Sequence, residues 1–350
     1  MRAGLAAPLR NGTAKEDPVV APGDDWDDRS EFGGIYRQAA QQSLATRNPV
    51  IVIPGIMGSR LVVKTERRSI WGDFANDHVR PTVAGDARLV ALPMVEGVPL
   101  DRLVGEGYAD GSLAEFRTKF AGTPLRRRVY GNVLAAMGVK GYVEPGDGAA
   151  TEAVGDAAAY EFDYDWRRSV DENAIRLQRF VKHLARFIRS HRRHREPLRF
   201  DIVAHSMGGL LLRYYLMYGG QLLPYDGSPP RATWEGAAQV ENAILVGTPS
   251  GGSIEALQRL LTGLGGNVVL PNYDPAILGT MPSLYQLLPR RRHRPLEVEG
   301  ATETPDPLDP ALWEAQGWGL ADTGRDGTLV HLLPGIASAA ERRRVALDHL

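Results

Sequence analysis

The apolar positions of this chain fall into short continuous runs separated by longer periodic stretches. Short apolar runs at about 49–53, 200–204 and 240–246 are typical of buried strands, and alternation returns at 159–168. Residues 171–191 instead place their apolar side chains at helical spacing, on a stripe formed by Leu177, Val181, Leu184 and Ile188. Strands that alternate with helices in this way predict a mostly parallel α/β sheet covered by helices on both faces. Its functional groups are expected at the carboxyl ends of the strands.

The domain organisation follows from where this periodicity begins and where it is interrupted. Residues 1–47 are rich in Gly, Pro, Asp and Gln and have no sustained period, which predicts a flexible N-terminal extension. The folded domain is then predicted over 48–350. Irregular segments at about 66–130 and 255–325 are interpreted as cap or lid insertions over the sheet, and substrate choice is expected to reside there.

Composition narrows the classes of partner and cofactor. With 350 residues, 43% hydrophobic residues and a formal net charge of −1, the chain has enough apolar material for a large core and no basic excess for nucleic acid. Cysteine is absent, which excludes disulfides and thiolate metal sites. The histidines are scattered and the glycine-rich loops lack the lysine of a phosphate-binding loop, so neither a metal nor another cofactor is expected.

Targeting and membrane signals are weak. No apolar stretch reaches the roughly 18 residues that span a bilayer, and the first residues are too short of apolar side chains for a secretory signal. We therefore expect a soluble cytoplasmic protein, with transient contact to a membrane surface left open. The basic run at 290–294 is interpreted as a solvated loop, and docking on anionic lipid is the alternative.

A single serine stands at the corner between a predicted strand and a predicted helix. Ser206 follows the apolar run at 200–204, and an apolar helical face begins just after it. The nucleophile of α/β-sheet serine hydrolases occupies such a sharp turn, which small residues two positions before and two after relieve of crowding. Those positions are Ala204 and Gly208. The pattern predicts that Ser206 is a nucleophile.

Two glycine-rich loops follow other predicted strands. The first, at 54–59, can aim a backbone N–H at the nucleophile, as an oxyanion hole requires. The second is at 247–253. Because the carboxyl ends of parallel strands meet at one sheet edge, Ser206 and both loops are predicted to converge.

These motifs, in this order, resemble the lecithin:cholesterol acyltransferase family over about residues 49–290. The resemblance rests on four pieces: Pro54-Gly-Ile-Met-Gly-Ser-Arg-Leu61, Tyr164-Asp-Trp-Arg167, His205-Ser-Met-Gly-Gly209 and Gly247-Thr-Pro-Ser-Gly-Gly-Ser253. It implies an α/β-hydrolase fold and acyl transfer through a serine ester. Ser206 would be the nucleophile, and the backbone amides of Ile56 and Met207 would form the oxyanion hole. Asp165 and Arg167 are interpreted as a structural ion pair.

The acid and the base are harder to place. In this fold both follow the serine, and Asp326-Gly-Thr-Leu-Val330 with His349 resembles the family's acid motif and base, although Arg325 replaces a glycine. His349 is the penultimate residue of a helix-like stretch, where a catalytic side chain would be hard to hold. His293 lies among arginines that disfavour an imidazolium, His331 is too close to Asp326, and His205 cannot easily reach its neighbour's hydroxyl. The favoured expectation is that the acid, the base and a closing strand are missing from a chain that stops early.

Two functions of different classes remain. The first is an O-acyltransferase or esterase/phospholipase that acts on a lipid ester through an acyl-enzyme. The alternative is a non-catalytic acyl-binding or partner-binding relative without a complete acid–base relay. The sequence leaves the acyl donor, the acceptor (water or an alcohol) and the oligomeric state open.

Overall fold

A computed structural model describes residues 46–93, 105–120, 123–137, 139, 159–191, 194, 196–224, 226–265, 270–296 and 304–325. The strands are β1 (Val50–Ile53), β2 (Ser59–Val63), β3 (Ser69–Trp71), β4 (Gly107–Ser112), β5 (Glu115–Phe120), β6 (Thr123–Arg128), β7 (Ala159–Glu161), β8 (Phe200–His205) and β9 (Val240–Val246). The helices are α1 (Ala84–Val90), α2 (Gly131–Ala136), α3 (Val170–His191), α4 (Met207–Tyr218), α5 (Ile254–Thr262), α6 (Pro275–Leu278), α7 (Pro282–Gln286) and α8 (Pro310–Gln316).

The main sheet has four parallel strands in the order β7-β1-β8-β9. Parallel neighbours need crossover connections, and α3 and α4 lie in the crossovers from β7 to β8 and from β8 to β9. All four strands therefore point the same way. Their carboxyl ends meet at one edge, as the alternating sequence pattern predicted.

Side chains of β1 show how both faces of this sheet are covered. Ile51 and Ile53 belong to the main core, which also contains residues of α3 and α4. Val52, between them in sequence, packs in a second cluster with Leu134 of α2 and with Ala159. Because successive strand side chains point to opposite faces, the two clusters lie on opposite sides of the sheet. The fold is the predicted α/β architecture, with helices on both faces.

The amphipathic helix predicted from Asp171 is α3. Leu177, Val181, Leu184 and Ile188 are all buried in the main core, which confirms the predicted stripe. Asp171 and Glu172 lie in the first turn, where the helix dipole favours negative charge. Alternation over 159–168 yields a shorter strand than predicted, because β7 ends at Glu161 and the chain then turns away from the sheet.

The segment at about 66–130 contains regular structure that its irregular pattern did not reveal. Strands β3, β2 and β4 form a small antiparallel sheet, and β5 pairs with β6. The sequences of β4 (GYADGS) and β6 (TPLRRR) contain few β-branched or aromatic residues, so they lack a strand signal. Pairing with neighbouring strands, rather than local propensity, determines their conformation.

Strand β9 corrects one expectation. Its apolar sequence predicted a buried strand, but every residue from Glu241 to Val246 is exposed. The reason is its place in the sheet: within the described part of the chain, β9 pairs with β8 alone and forms an edge. An apolar run indicates a strand, but it does not report how many neighbours the strand has.

Several expectations concern other parts of the chain. Residues 1–45 of the predicted extension, and Asp326, His331 and His349, lie outside the described residues. Among the residues that are described, no helix combines the length and apolar character needed to cross a bilayer.

Candidate active site

Ser206 occupies a strained corner between β8 and α4. Its backbone has φ of 51° and ψ of −126°, a conformation that costs free energy for a residue with a Cβ. The corner is fixed because Ser206 N donates to Val246 O at 2.8 Å and Gly209 N donates to Ser206 O at 2.9 Å. This is the geometry of a nucleophile elbow, in which a sharp strand-to-helix turn projects the serine hydroxyl from the sheet edge.

Neighbouring backbone and side-chain atoms approach the elbow so closely that small residues are required there. A Cβ placed on Gly208 would collide with Pro54 O, and one on Gly209 would collide with Thr248 Oγ1. A Cβ on Gly55 would lie 2.8 Å from the Ser206 Cβ. Loop 54–59, the elbow and the loop after β9 are therefore in contact, which confirms their predicted convergence.

Most backbone polar groups of loop 54–59 are hydrogen-bonded. Its backbone groups are bonded as follows: Pro54 O to Tyr164 Oη (2.9 Å), Gly55 N to Tyr130 Oη (2.8 Å), Gly55 O to Gly58 N (3.0 Å), Met57 O to Trp71 Nε1 (2.8 Å), Gly58 O to Leu113 N (2.8 Å) and Ser59 O to Trp166 Nε1 (3.2 Å). These partners come from the Tyr164–Arg167 motif and from the segment at 66–130. The loop is thus fixed from several sides.

The same bonding leaves specific N–H groups free. Within the described residues, the amides of Ile56 and Met57 donate to no acceptor, and neither does the amide of Met207 at the first position of α4. Met57 has a φ of 60°, so the loop keeps its tight turn with a non-glycine residue in the left-handed region. The two amides predicted for an oxyanion hole, those of Ile56 and Met207, are therefore unengaged beside the elbow.

His205 is adjacent to Ser206 in sequence but is engaged elsewhere. Its Nδ1 lies 2.6 Å from Tyr130 Oη, and the two rings meet edge to face with centroids 5.7 Å apart. Burial lowers the pKa of the imidazole. Sequence reasoning set His205 aside as a base, and it missed Tyr130 altogether. No local pattern marks Tyr130, because it is 75 positions from its histidine partner.

Loop 247–253 closes the other side of the site. Ser253 N donates to Leu287 O at 2.7 Å, and a Cβ on Gly252 would collide with Pro289. The basic run at 290–294 is exposed, and Arg291–His293 form one turn of 3-10 helix rather than a loop. Exposure is expected both for a solvated segment and for docking on anionic lipid, so the interpretation as a solvated segment stays a prediction. His293 lies beside this loop, 3.9 Å from the point where a Cβ on Gly251 would sit.

The Tyr164–Arg167 motif combines a buried ion pair with its contacts to the loop. Arg167 and Asp165 are 1% and 3% exposed, and Arg167 Nη2 lies 2.7 Å from Asp165 Oδ2. Burial alone would raise the pKa of Asp165, but the charge and hydrogen bonds of Arg167 lower it below its usual value. The expected structural ion pair is confirmed.

The acid and base of a catalytic relay are not assembled by the described residues. No side chain there is hydrogen-bonded to Ser206 Oγ, and Asp326 and His349 fall outside them. No cluster of metal-ligating side chains is found in the described part of the chain either. What the described site provides is a serine at a strained corner, the unengaged amides of Ile56, Met57 and Met207, and a hydrogen-bonded frame around them.

Comparison with known proteins identifies the family. A family model for lecithin:cholesterol acyltransferase matches residues 120–299, just over half of the chain. The chain belongs to the lecithin:cholesterol acyltransferase family. Membership in this family supports lipid acyl transfer or ester cleavage as the general class of activity. No curated protein matches the sequence.

Several chains of solved structures resemble this protein, and one of them serves as an example. It is described as the crystal structure of the Tle4–Tli4 complex, and it aligns with a TM-score of 0.49 at 15% sequence identity. The alignment covers 87% of this chain and 72% of that chain.

Proposed function

We propose that this protein is a serine-dependent acyltransferase or esterase that takes an acyl group from a lipid ester through an acyl-enzyme on Ser206. The single observation that carries the proposal is the strained backbone of Ser206 at the β8–α4 corner. A non-glycine residue with this conformation is retained where the surrounding structure over-determines it, and such residues cluster at active sites. The family assignment supplies the lipid ester as substrate class.

The free amides beside the elbow suit the electrostatic demand of acyl transfer. Attack of Ser206 Oγ on the ester carbonyl carbon moves negative charge onto the carbonyl oxygen. N–H groups of Ile56 and Met207 would donate to that oxygen, and the positive end of the α4 dipole adds to the stabilisation. Removing one donor from such a hole typically costs about 10²–10³-fold in rate.

Proton movements require a base and an acid. The base takes the proton from Ser206 Oγ during attack and gives it to the departing alcohol oxygen as the carbon–oxygen bond of the ester breaks. An acceptor alcohol or water then loses its proton to the same base as it attacks the acyl carbon, and the base gives that proton to Ser206 Oγ as the acyl–serine bond breaks. We assign the role of the base to His349 and that of the carboxylate that orients it to Asp326, because Asp326 resembles the family's acid motif and His349 follows it in the chain order of this fold.

A second candidate function has its own supporting observation. Ser206 Oγ has no hydrogen-bonded partner among the described residues, and the adjacent His205 is bonded to Tyr130 instead. A non-catalytic protein that binds an acyl chain and has a serine at the same corner would have the same structure in the described residues. The non-catalytic reading therefore remains the alternative.

Covalent labelling separates the two. We expect a fluorophosphonate probe to modify the folded protein at Ser206, as shown by mass spectrometry of the labelled peptide, and Ser206→Ala to abolish labelling. Ser250→Ala is the matched control, because Ser250 lies in the neighbouring loop and its hydroxyl accepts a hydrogen bond from Arg213 of α4, seven positions after Ser206. A folded protein that takes up no probe would favour the non-catalytic alternative, and labelling that survives in Ser206→Ala would remove the assigned nucleophile.

Labelling alone does not distinguish transfer from hydrolysis. Incubation with a phospholipid that carries a radiolabelled acyl chain, with and without a long-chain alcohol, resolves the products. A labelled ester indicates transfer, and free fatty acid indicates hydrolysis. His349→Asn and Asp326→Asn are expected to lose most of either product while leaving the circular dichroism spectrum unchanged.

A further inference from the structure

Tyr130 brings the inserted segment into the candidate active site. It lies between β6 and α2, and its backbone is fixed on both sides: Tyr130 N donates to Leu113 O at 3.1 Å, and Tyr130 O accepts from Leu134 N at 2.9 Å. Leu113 N in turn donates to Gly58 O. The backbone that carries Tyr130 is therefore connected to loop 54–59 through Leu113.

The hydroxyl of Tyr130 joins that loop to the residue before the nucleophile. Its oxygen accepts from Gly55 N at 2.8 Å and lies 2.6 Å from His205 Nδ1. With the imidazole proton on Nε2, the hydroxyl donates to Nδ1 while its oxygen accepts from Gly55 N; the second lone pair of that oxygen also allows the reverse direction, from Nδ1–H, in the other tautomer. Burial raises the pKa of Tyr130 and lowers that of His205, so both groups stay neutral and this arrangement is retained near pH 7.

The ring of Tyr130 adds a steric constraint. A Cβ on Gly58 would lie 2.8 Å from Tyr130 Cε2, so the ring packs closely against the end of the loop. Tyr130 therefore contacts loop 54–59 at Gly55 with its hydroxyl and at Gly58 with its ring. Ile56 and Met57, between those two points, form the turn that carries the unengaged amides.

We propose that Tyr130 is a positioning residue whose hydroxyl, oriented by His205, holds loop 54–59 against the Ser206 elbow and keeps the Ile56 amide directed at the reacting oxygen. This inference rests on the proposed function, because the direction of the Ile56 N–H matters only if acyl transfer occurs at Ser206. In this role Tyr130 is assigned no contact with the substrate or the reacting atoms. It acts through the loop, and His205 acts through Tyr130.

The first test measures the contact itself and needs no activity. Tyr130→Phe removes the acceptor of Gly55 N–H, so amide hydrogen exchange at Gly55 should accelerate by about tenfold, the effect of losing one hydrogen bond. Tyr214→Phe is the matched control: Tyr214 is also half-buried and donates one hydrogen bond to a backbone carbonyl, that of Gln221. Exchange in loop 54–59 should be unchanged in that variant.

The second test measures the consequence for the chemistry. The rate constant for fluorophosphonate labelling of Ser206 should fall about tenfold to a hundredfold in Tyr130→Phe, as expected when a catalytic group is misplaced by a fraction of an ångström to an ångström. With a soluble short-chain ester, kcat should fall while KM stays within about twofold. A merely structural role would lower the active fraction, and titration with the probe would reveal that loss.

Conservative substitution at His205 tests the orientation of the hydroxyl. Asparagine can place an acceptor near the position of Nδ1, whereas leucine cannot, so His205→Asn should keep most of the labelling rate and His205→Leu should resemble Tyr130→Phe. Equal losses in the two variants would overturn the role of His205.

The outcomes separate this inference from the proposed function. Unchanged exchange at Gly55 in Tyr130→Phe, or an unchanged labelling rate, would overturn the positioning role while Ser206 still labels. A wild-type protein that never labels would instead overturn the proposed function, and with it the catalytic purpose of the Tyr130 contact.

Discussion

Asp165 and Arg167 form a bidentate ion pair in the interior of the protein, with Arg167 Nε 2.9 Å from Asp165 Oδ1 and Nη2 2.7 Å from Oδ2. Arg167 Nη1 also donates to the carbonyl oxygens of Leu89 and Val90, at the end of α1. One side chain thus connects the turn after β7 to the inserted segment. The pair lies in the same four-residue motif as Tyr164 and Trp166, which hold loop 54–59.

Breaking this pair should destabilise the protein strongly. Arg167→Met leaves the Asp165 carboxylate buried without its cation and two carbonyls without a donor, and we expect a loss of about 3–5 kcal/mol in the free energy of unfolding. Arg167→Lys keeps the positive charge but not the planar guanidinium that makes two hydrogen bonds, so its free energy of unfolding should lie between those of wild type and Arg167→Met. Urea denaturation measures both. Arg199→Met, which removes an exposed ion pair with Glu241, should cost no more than about 1 kcal/mol; equal effects at the two arginines would contradict the structural role.

Thr248 fixes the distance between α4 and the loop after β9. Gly209→Ala would drive a methyl group into Thr248 Oγ1, so we expect a loss of about 1–3 kcal/mol from overpacking despite the better helix propensity of alanine. The control is Gly85→Ala in α1, where nothing lies within 4 Å of the added Cβ and stability should rise by about 0.5–1 kcal/mol. Thr248→Ala should recover part of the loss in the double variant. A Gly209→Ala protein as stable as Gly85→Ala would show that the loop is free to move.

The elbow and its companions were predictable from sequence because each is a local pattern. A strand, a small-x-Ser-x-Gly turn and a helix occupy consecutive residues, and the parallel sheet then brings the ends of β1, β8 and β9 together. The contacts of Tyr130 were not predictable, because they depend on an approach between the segment at 66–130 and two strand ends. The contacts that orient a site are made by tertiary structure, and a single sequence carries no periodic signal for them.

The strands of the segment at 66–130 show the same limit for the fold. Helix α3 has a strong 3.6-residue period and was predicted within one residue of its start, whereas β4 and β6 consist largely of residues with weak β propensity. Exposure of β9 was also missed, since burial of a strand depends on its neighbours in the sheet.

The exposed edge at β9 has a consequence for solution behaviour. Ile244, Leu245 and Val246 are 50%, 43% and 45% exposed, on a strand whose outer backbone groups have no ladder partner among the described residues. Such an edge favours pairing with another chain, so we expect concentration-dependent self-association in light scattering. Ile244→Lys should shift the association to higher concentration. Val133→Lys, at an equally exposed valine of α2, should not; association unaffected by Ile244→Lys would exclude this edge as its cause.

His205 should make stability depend on pH in a defined direction. Burial lowers the pKa of His205 in the folded protein, whereas the unfolded chain has the ordinary histidine pKa of about 6.5. As the pH falls below that value, the unfolded chain binds the proton first, so the free energy of unfolding decreases until the pH is below the pKa of the folded protein. Above about pH 6.5 the imidazole is neutral in both states, and its titration does not change the free energy of unfolding. Urea denaturation from pH 7.5 to 5 should therefore show a smaller loss for His205→Asn than for wild type. An NMR titration that places the imidazole pKa of His205 at or above 6.5 would contradict this account, because the folded protein would then bind the proton at least as readily as the unfolded chain.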